Sequence, residues 1–135
     1  MISAALGGVV FDTAAVIGFA NQANYAQAVV WATVNAGNTI VVPATVLGVA
    51  RAHIAADRLD ILAALLELPH TIVPVFDRDA AERLGIVLAG SANAEALLPA
   101  GHATHEAIAR DWPCLTARPK KLRQLDSRVI IDPLP

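Results

Sequence analysis

The sequence predicts a three-layer α/β/α sandwich around a mainly parallel, five-stranded sheet, and three observations predict it. Short β-rich apolar runs alternate with helical segments along the chain, joined by mostly short connections, as a parallel sheet covered by helices requires. Alanine supplies 28 of the 135 residues while aromatics are 4%, so the core must come from small and branched aliphatic side chains in closely approaching elements. With 56% hydrophobic and 16% charged residues, one domain over residues 1–135 is expected, and disorder is not.

The first strand is expected over Leu6 to Phe11, where Val9, Val10 and Phe11 form a β-rich run that stops at Asp12-Thr13, a pair suited to capping a helix. A short helix follows over Ala14 to Ala20. A second, from about Gln22 to Asn35, carries Tyr25, Val29, Ala32 and Ala36 on one stripe and stops at Asn35-Ala36-Gly37-Asn38. Thr39 to Val42 reads as the second strand, closed by Pro43. The next helix, Thr45 to about Ala56, is expected to turn Val46, Val49 and Ala50 inward.

Asp57 is placed to cap a helix over Arg58 to Leu68, in which Leu59, Leu62, Ala63 and Leu66 recur at helical spacing before Pro69. His70 to Phe76 is the third strand, and Pro74 marks it as an edge or a terminus because proline donates no ladder hydrogen bond. Asp77 opens a helix to about Ala89. Gly90-Ser91 breaks it, Ala92 to Leu98 forms a short helix, and Pro99 and Gly101 separate that from another over His102 to Arg110. Pro113 to Thr116 is the fourth strand, Pro119 to Gln124 a short helix, and Arg128 to Ile131 the last strand.

Composition also bounds the function. The lone Cys114 forms no internal disulfide, no apolar run reaches the roughly 20 residues of a membrane span, and Met1 to Val10 lacks a basic start. A cytoplasmic, non-membrane protein is expected. The formal charge of −2 argues against a general polyanion binder. It hides an asymmetry: residues 1–99 hold four Arg against eight Asp and Glu, and residues 100–135 hold six Lys and Arg against four. No glycine-rich phosphate fingerprint follows the first strand.

Four phrases in this order resemble the PIN-domain family, in particular compact ribonucleases of bacterial toxin and antitoxin systems. They are Val9-Val10-Phe11-Asp12-Thr13, Val41-Val42-Pro43-Ala44-Thr45-Val46-Leu47, Trp112-Pro113-Cys114-Leu115-Thr116 and Val129-Ile130-Ile131-Asp132-Pro133-Leu134-Pro135. The resemblance implies a parallel sheet with acidic residues gathered at one end, where Mg²⁺ or Mn²⁺ directs water onto an RNA phosphodiester. It matches Asp12 to the family's first acidic position and Thr13 to its neighbour. The other three acidic positions fall on Val49, Ala100 and, beyond Thr116, Arg118. One carboxylate is a poor site for a hard divalent ion. The expectation is therefore a degenerate, non-enzymatic PIN-like protein without a cofactor, with Asp12 vestigial, working through a protein partner or as a homodimer.

Two alternatives stay open. A Mg²⁺- or Mn²⁺-dependent ribonuclease would need nonstandard acids such as Asp77, Glu95 or Glu106. A non-catalytic RNA binder would use the basic segment Arg118, Lys120, Lys121, Arg123 and Arg128, which faces only Asp126.

The remaining polar clusters have ordinary explanations. Asp77 and Asp79 suit a helix cap. His102, His105 and Glu106 share a helical face but lack the HExxH pattern of zinc enzymes, so surface or capping roles are expected. His53 and Asp57 read as a surface pair, Cys114 as a buried strand residue, and Tyr25, Trp31 and Trp112 as packing or interface residues rather than base-stacking platforms.

Overall fold

The computed structural model describes residues 7–135; Leu6 and the apolar stretch before it lie outside the described residues. Strand β1 (Gly8–Phe11) feeds α1 (Thr13–Ala20) and α2 (Asn24–Asn35), and β2 (Thr39–Val41) feeds α3 (Ala44–His53). A short 3-10 turn (Ala56–Arg58) and α4 (Leu59–Leu66) lead to β3 (Thr71–Ile72). Helices α5 (Arg78–Leu88) and α6 (Ala94–Arg110), strand β4 (Cys114–Thr116), helix α7 (Pro119–Leu125) and strand β5 (Ile131–Pro133) complete the chain.

The five strands form one all-parallel sheet in the order β3-β2-β1-β4-β5. Val9 pairs with Ile40 on one side of β1, and Phe11 with Leu115 on the other. Helices α1 and α6 both pack on β1, which explains its unbroken apolar run: Val10 and Phe11 are fully buried, as are Val41, Cys114 and Leu115. Burying each of the larger side chains contributes about 1.5–3 kcal/mol. Small residues on α1 and α6, Ala15, Ala100, Ala103 and Ala107, bring the helices close to the sheet and account for the alanine content. Among the described residues no helix is long and apolar enough to cross a membrane.

Several boundaries differ from the sequence expectation. The two helices expected around Pro99 and Gly101 are one continuous helix, α6. Pro99 is its sixth residue, so the carbonyl it leaves without a donor is that of the exposed Glu95. The buried run from Pro99 to Thr104 anchors the helix across the proline. On α2 the buried face is Ala26 and Val30, while Tyr25, Ala32 and Ala36 are exposed. Val49 points outward on α3, 38% exposed beside the buried Val46 and Ala50. Strand β3 is only two residues long, and Pro74 indeed lies just beyond this edge strand. Strand β5 starts at Ile131 because Asp126 first holds a turn, accepting from Arg128 N at 3.0 Å through its side chain and from Val129 N at 3.3 Å through its carbonyl.

The crossing from α6 into β4 is a tight stop. Asp111 takes a left-handed conformation, φ 59°, with its N–H donating to Ile108 O while Trp112 N donates to Ala107 O. The turn sets Trp112 against the start of β1. A Cβ on Gly8 would lie 2.6 Å from both the Trp112 ring and Thr39 O, so only glycine fits there.

Candidate functional site at the carboxyl end of the sheet

All strands point the same way, so the residues that follow β1, β2 and β4 gather at one end of the sheet, where ligands of parallel sheets bind. Asp12 is the first residue after β1 and the N-cap of α1. Its Oδ1 accepts from Thr13 N at 2.8 Å, satisfying one of the open donors of the helix start. Its Oδ2 accepts from the Thr116 hydroxyl at 2.8 Å, and that hydroxyl oxygen in turn accepts from Arg118 N at 3.0 Å. The Arg118 guanidinium lies 3.9 Å from the same Oδ2. Asp12 is 1% exposed and Thr116 fully buried. Thus each carboxylate oxygen accepts a hydrogen bond from the chain itself, with the Arg118 guanidinium close by. The neighbouring Thr13 hydroxyl is buried and makes no hydrogen bond.

The other positions assigned by resemblance bring no acid to this point. Ala100 is fully buried on α6, and Val49 is an exposed apolar residue on α3. Among the described residues no group of three His, Cys, Asp or Glu side chains is placed to hold a metal ion. The donor set around Asp12 does not fit Mg²⁺ or Mn²⁺, which take several oxygen ligands and usually more than one carboxylate. The nonstandard acids are occupied elsewhere or stand apart. Asp77 caps α5 by accepting from Ala80 N at 2.9 Å, Asp79 pairs with Arg83 at 3.0 Å, and Glu95 is exposed at the start of α6.

Glu106 belongs to a buried network that corrects the surface role expected of it and of His102. His102 is fully buried and Glu106 8% exposed. His102 Nδ1 and the Thr45 hydroxyl are 2.9 Å apart, and Phe76 meets the imidazole edge-on at 5.0 Å between ring centres. His102 Nε2 lies 3.4 Å from Glu106 Oε2 without hydrogen-bond geometry, and Glu106 also pairs with Arg110. Burial alone would raise the Glu106 carboxyl, but its contacts with His102 and Arg110 outweigh that and hold it below the usual carboxylate range. This network ties α6 to the starts of α3 and α5. Its signal in the sequence was the four-residue spacing of His102, Glu106 and Arg110, which places all three on one helical face. His105 faces a different way, into a groove of about 380 Å³ between α5, α6 and the chain after α7.

Other candidates resolve simply. Cys114 is buried in β4, where desolvation and the Asp12 charge push its thiol well above the usual value, so it is no nucleophile. His53 ends α3 and Asp57 sits in the 3-10 turn, so they share no helix face. Tyr25 donates to Asp132 at 2.6 Å, Trp31 is 49% exposed on α2, and Trp112 packs against the core. Of the five basic residues, Lys120, Lys121 and Arg123 stand exposed on α7, Arg118 turns toward Asp12, and Arg128 is held by Asp126 at 2.7 Å. Pairing with Asp126 removes Arg128 from the basic patch.

The sheet order and the all-parallel register make this an α/β fold around a five-stranded parallel sheet. A solved structure bears this out. The chain is similar to one in the crystal structure of VapBC2 from Rickettsia felis bound to a DNA fragment from their promoter, with a TM-score of 0.67, 18% identity, and 95% of this chain and 99% of that chain covered. No family model matches the sequence. No curated protein matches it.

Proposed function

We propose that this chain keeps the scaffold of a PIN nuclease without its metal centre, and acts by binding a protein partner or a second copy of itself. The observation that carries the reading is that Asp12 stands without companion acids: among the described residues no three His, Cys, Asp or Glu side chains gather to hold an ion, and the Arg118 guanidinium lies 3.9 Å from its Oδ2. Val49, Ala100 and Arg118 stand where the resemblance calls for acids, so the charge needed to hold a divalent ion is missing. Similarity to a chain of a toxin and antitoxin assembly supports association with protein as the surviving role. The test is a Mn²⁺ and Mg²⁺ titration by calorimetry alongside an RNA cleavage assay. Neither specific binding nor cleavage is expected. Metal-dependent cleavage abolished by Asp12→Ala would overturn the reading.

A second reading rests on α7. Lys120, Lys121 and Arg123 are exposed cations within one short helix, a modest footprint for phosphates. Under this reading RNA association weakens with salt, and combined replacement of the three by Ala lowers it further. Binding unchanged in that variant would remove α7 from consideration.

A further inference from the structure

The groove of about 380 Å³ between α5, α6 and the chain after α7 has the volume of a small-molecule site, and none of the residues bonded to Asp12 lines it. Much of its lining is apolar, because α6 brings to it residues that are small or already satisfied. Gly101 has no side chain, and a Cβ there would lie 3.0 Å from the Leu84 side chain, so Leu84 of α5 rests directly on the α6 backbone. Thr104 spends its hydroxyl within the helix, on Ala100 O at 2.8 Å. Ile108, Leu125 and Val87, the last 45% exposed, add further apolar surface.

The polar groups of the groove are biased toward donors. Arg83 gives its Nε to Asp79 at 3.0 Å and keeps both terminal amino groups uncommitted among the described residues. Asp126 takes Nε and Nη2 of Arg128, at 3.1 and 2.7 Å, and leaves Nη1. His105 adds a ring N–H. Asp126 is the one carboxylate in the lining, and its oxygens already serve the backbone and side chain of Arg128. Two arginines against one aspartate leave the lining with a formal charge of +1 when His105 is neutral. Asp79 stands outside the lining, and its pair with Arg83 is so exposed, at 71% and 66%, that water screens it.

We infer that this groove binds a small organic carboxylate with an apolar body. The Arg83 guanidinium offers a planar fork of donors that matches the two oxygens of a carboxylate, and the single net charge matches a monoanion. The hydrocarbon part displaces water from Leu84, Ile108 and Leu125. A neutral ligand would leave the donors without acceptors, and a bare anion would leave the apolar lining wet. Affinity therefore needs both halves of the ligand. The inference stands apart from the reading of Asp12 and does not depend on it.

Titration of the isotope-labelled protein with decanoate, kept below its micelle concentration and followed through backbone amide shifts, tests it. Saturable one-to-one shifts are expected at residues 83–87, 104–109 and 125–128, with decanol and acetate each binding at least tenfold more weakly than decanoate. Arg83→Gln and Val87→Glu change exposed positions and are checked for folding by circular dichroism; each is expected to weaken decanoate at least tenfold. Lys120→Gln, which removes the same charge on α7, is expected to leave binding unchanged. Shifts that fail to saturate, or that centre on other residues, would overturn the inference. So would decanol binding as tightly as decanoate, acetate binding as tightly as decanoate, decanoate binding unchanged in either groove variant, or an equal loss with Lys120→Gln.

Discussion

The Thr116 hydroxyl donates to Asp12 Oδ2 at 2.8 Å, joining residues 104 positions apart in the chain and neighbours in space at the ends of β1 and β4. Each Asp12 oxygen thus accepts one hydrogen bond from the chain, Oδ1 from Thr13 N and Oδ2 from the Thr116 hydroxyl.

That bond has a measurable worth. Asp12→Ala removes the cap of α1 and strands the Thr116 hydroxyl, and is expected to cost about 2–3 kcal/mol. Thr116→Val should cost less, and a double-mutant cycle in urea unfolding should return a coupling of about 1–2 kcal/mol between the two. Additive effects would show that Asp12 is held by its helix alone.

Acid should reveal the buried network on α6. Glu106 has a carboxyl lowered in the folded state from a starting value of 4.5, so its stabilisation is present above about 4.5 and is lost as pH falls through the lowered value. Glu106→Gln is expected to be less stable than the wild type at pH 7 by about 1–3 kcal/mol. The gap should narrow on acidification below about pH 4.5. A gap constant down to pH 3 would contradict the lowered carboxyl.

The start of β1 tolerates no side chain. Gly8→Ala puts a Cβ 2.6 Å from Thr39 O and the Trp112 ring, and one of the two must move. A loss of about 1–3 kcal/mol is expected. Near-ultraviolet circular dichroism should register the displaced Trp112.

The opposite change helps at Asp111, which holds a left-handed conformation at the end of α6. Asp111→Gly relieves that strain and is expected to raise stability by about 0.5–1 kcal/mol, read as a higher Tm. A lower Tm would show that the Asp side chain contributes something the backbone geometry does not explain.

What the sequence makes legible is governed by range. The strands announce themselves as runs of branched residues ending in Asp12, Pro43 or Thr116, because burial on both faces of a parallel sheet leaves a local trace. The cap at Asp12 was readable for the same reason. The bond from Thr116 was not, since its two partners share no local pattern. Pro99 misled because a local rule for ending helices competed with the tertiary burial of residues 99–104, and burial won. Val49 misled through periodicity: it lies one position from the buried face set by Val46 and Ala50, so a helical stripe counted it in and the packing left it out. The His102 network needed Thr45 and Phe76 from two other segments, and no spacing within α6 predicts them.

The strand order has a bearing on how this polypeptide is made. The central strand β1 is flanked by β2 and by β4, whose first residue is Cys114. During synthesis the apolar run Val9-Val10-Phe11 emerges more than a hundred residues before its second neighbour. At roughly 5–20 residues per second it waits several seconds with one flank uncovered. In that interval one flank of β1 is an unpaired apolar edge, so a ribosome stalled shortly before Cys114 would hold an aggregation-prone partial sheet.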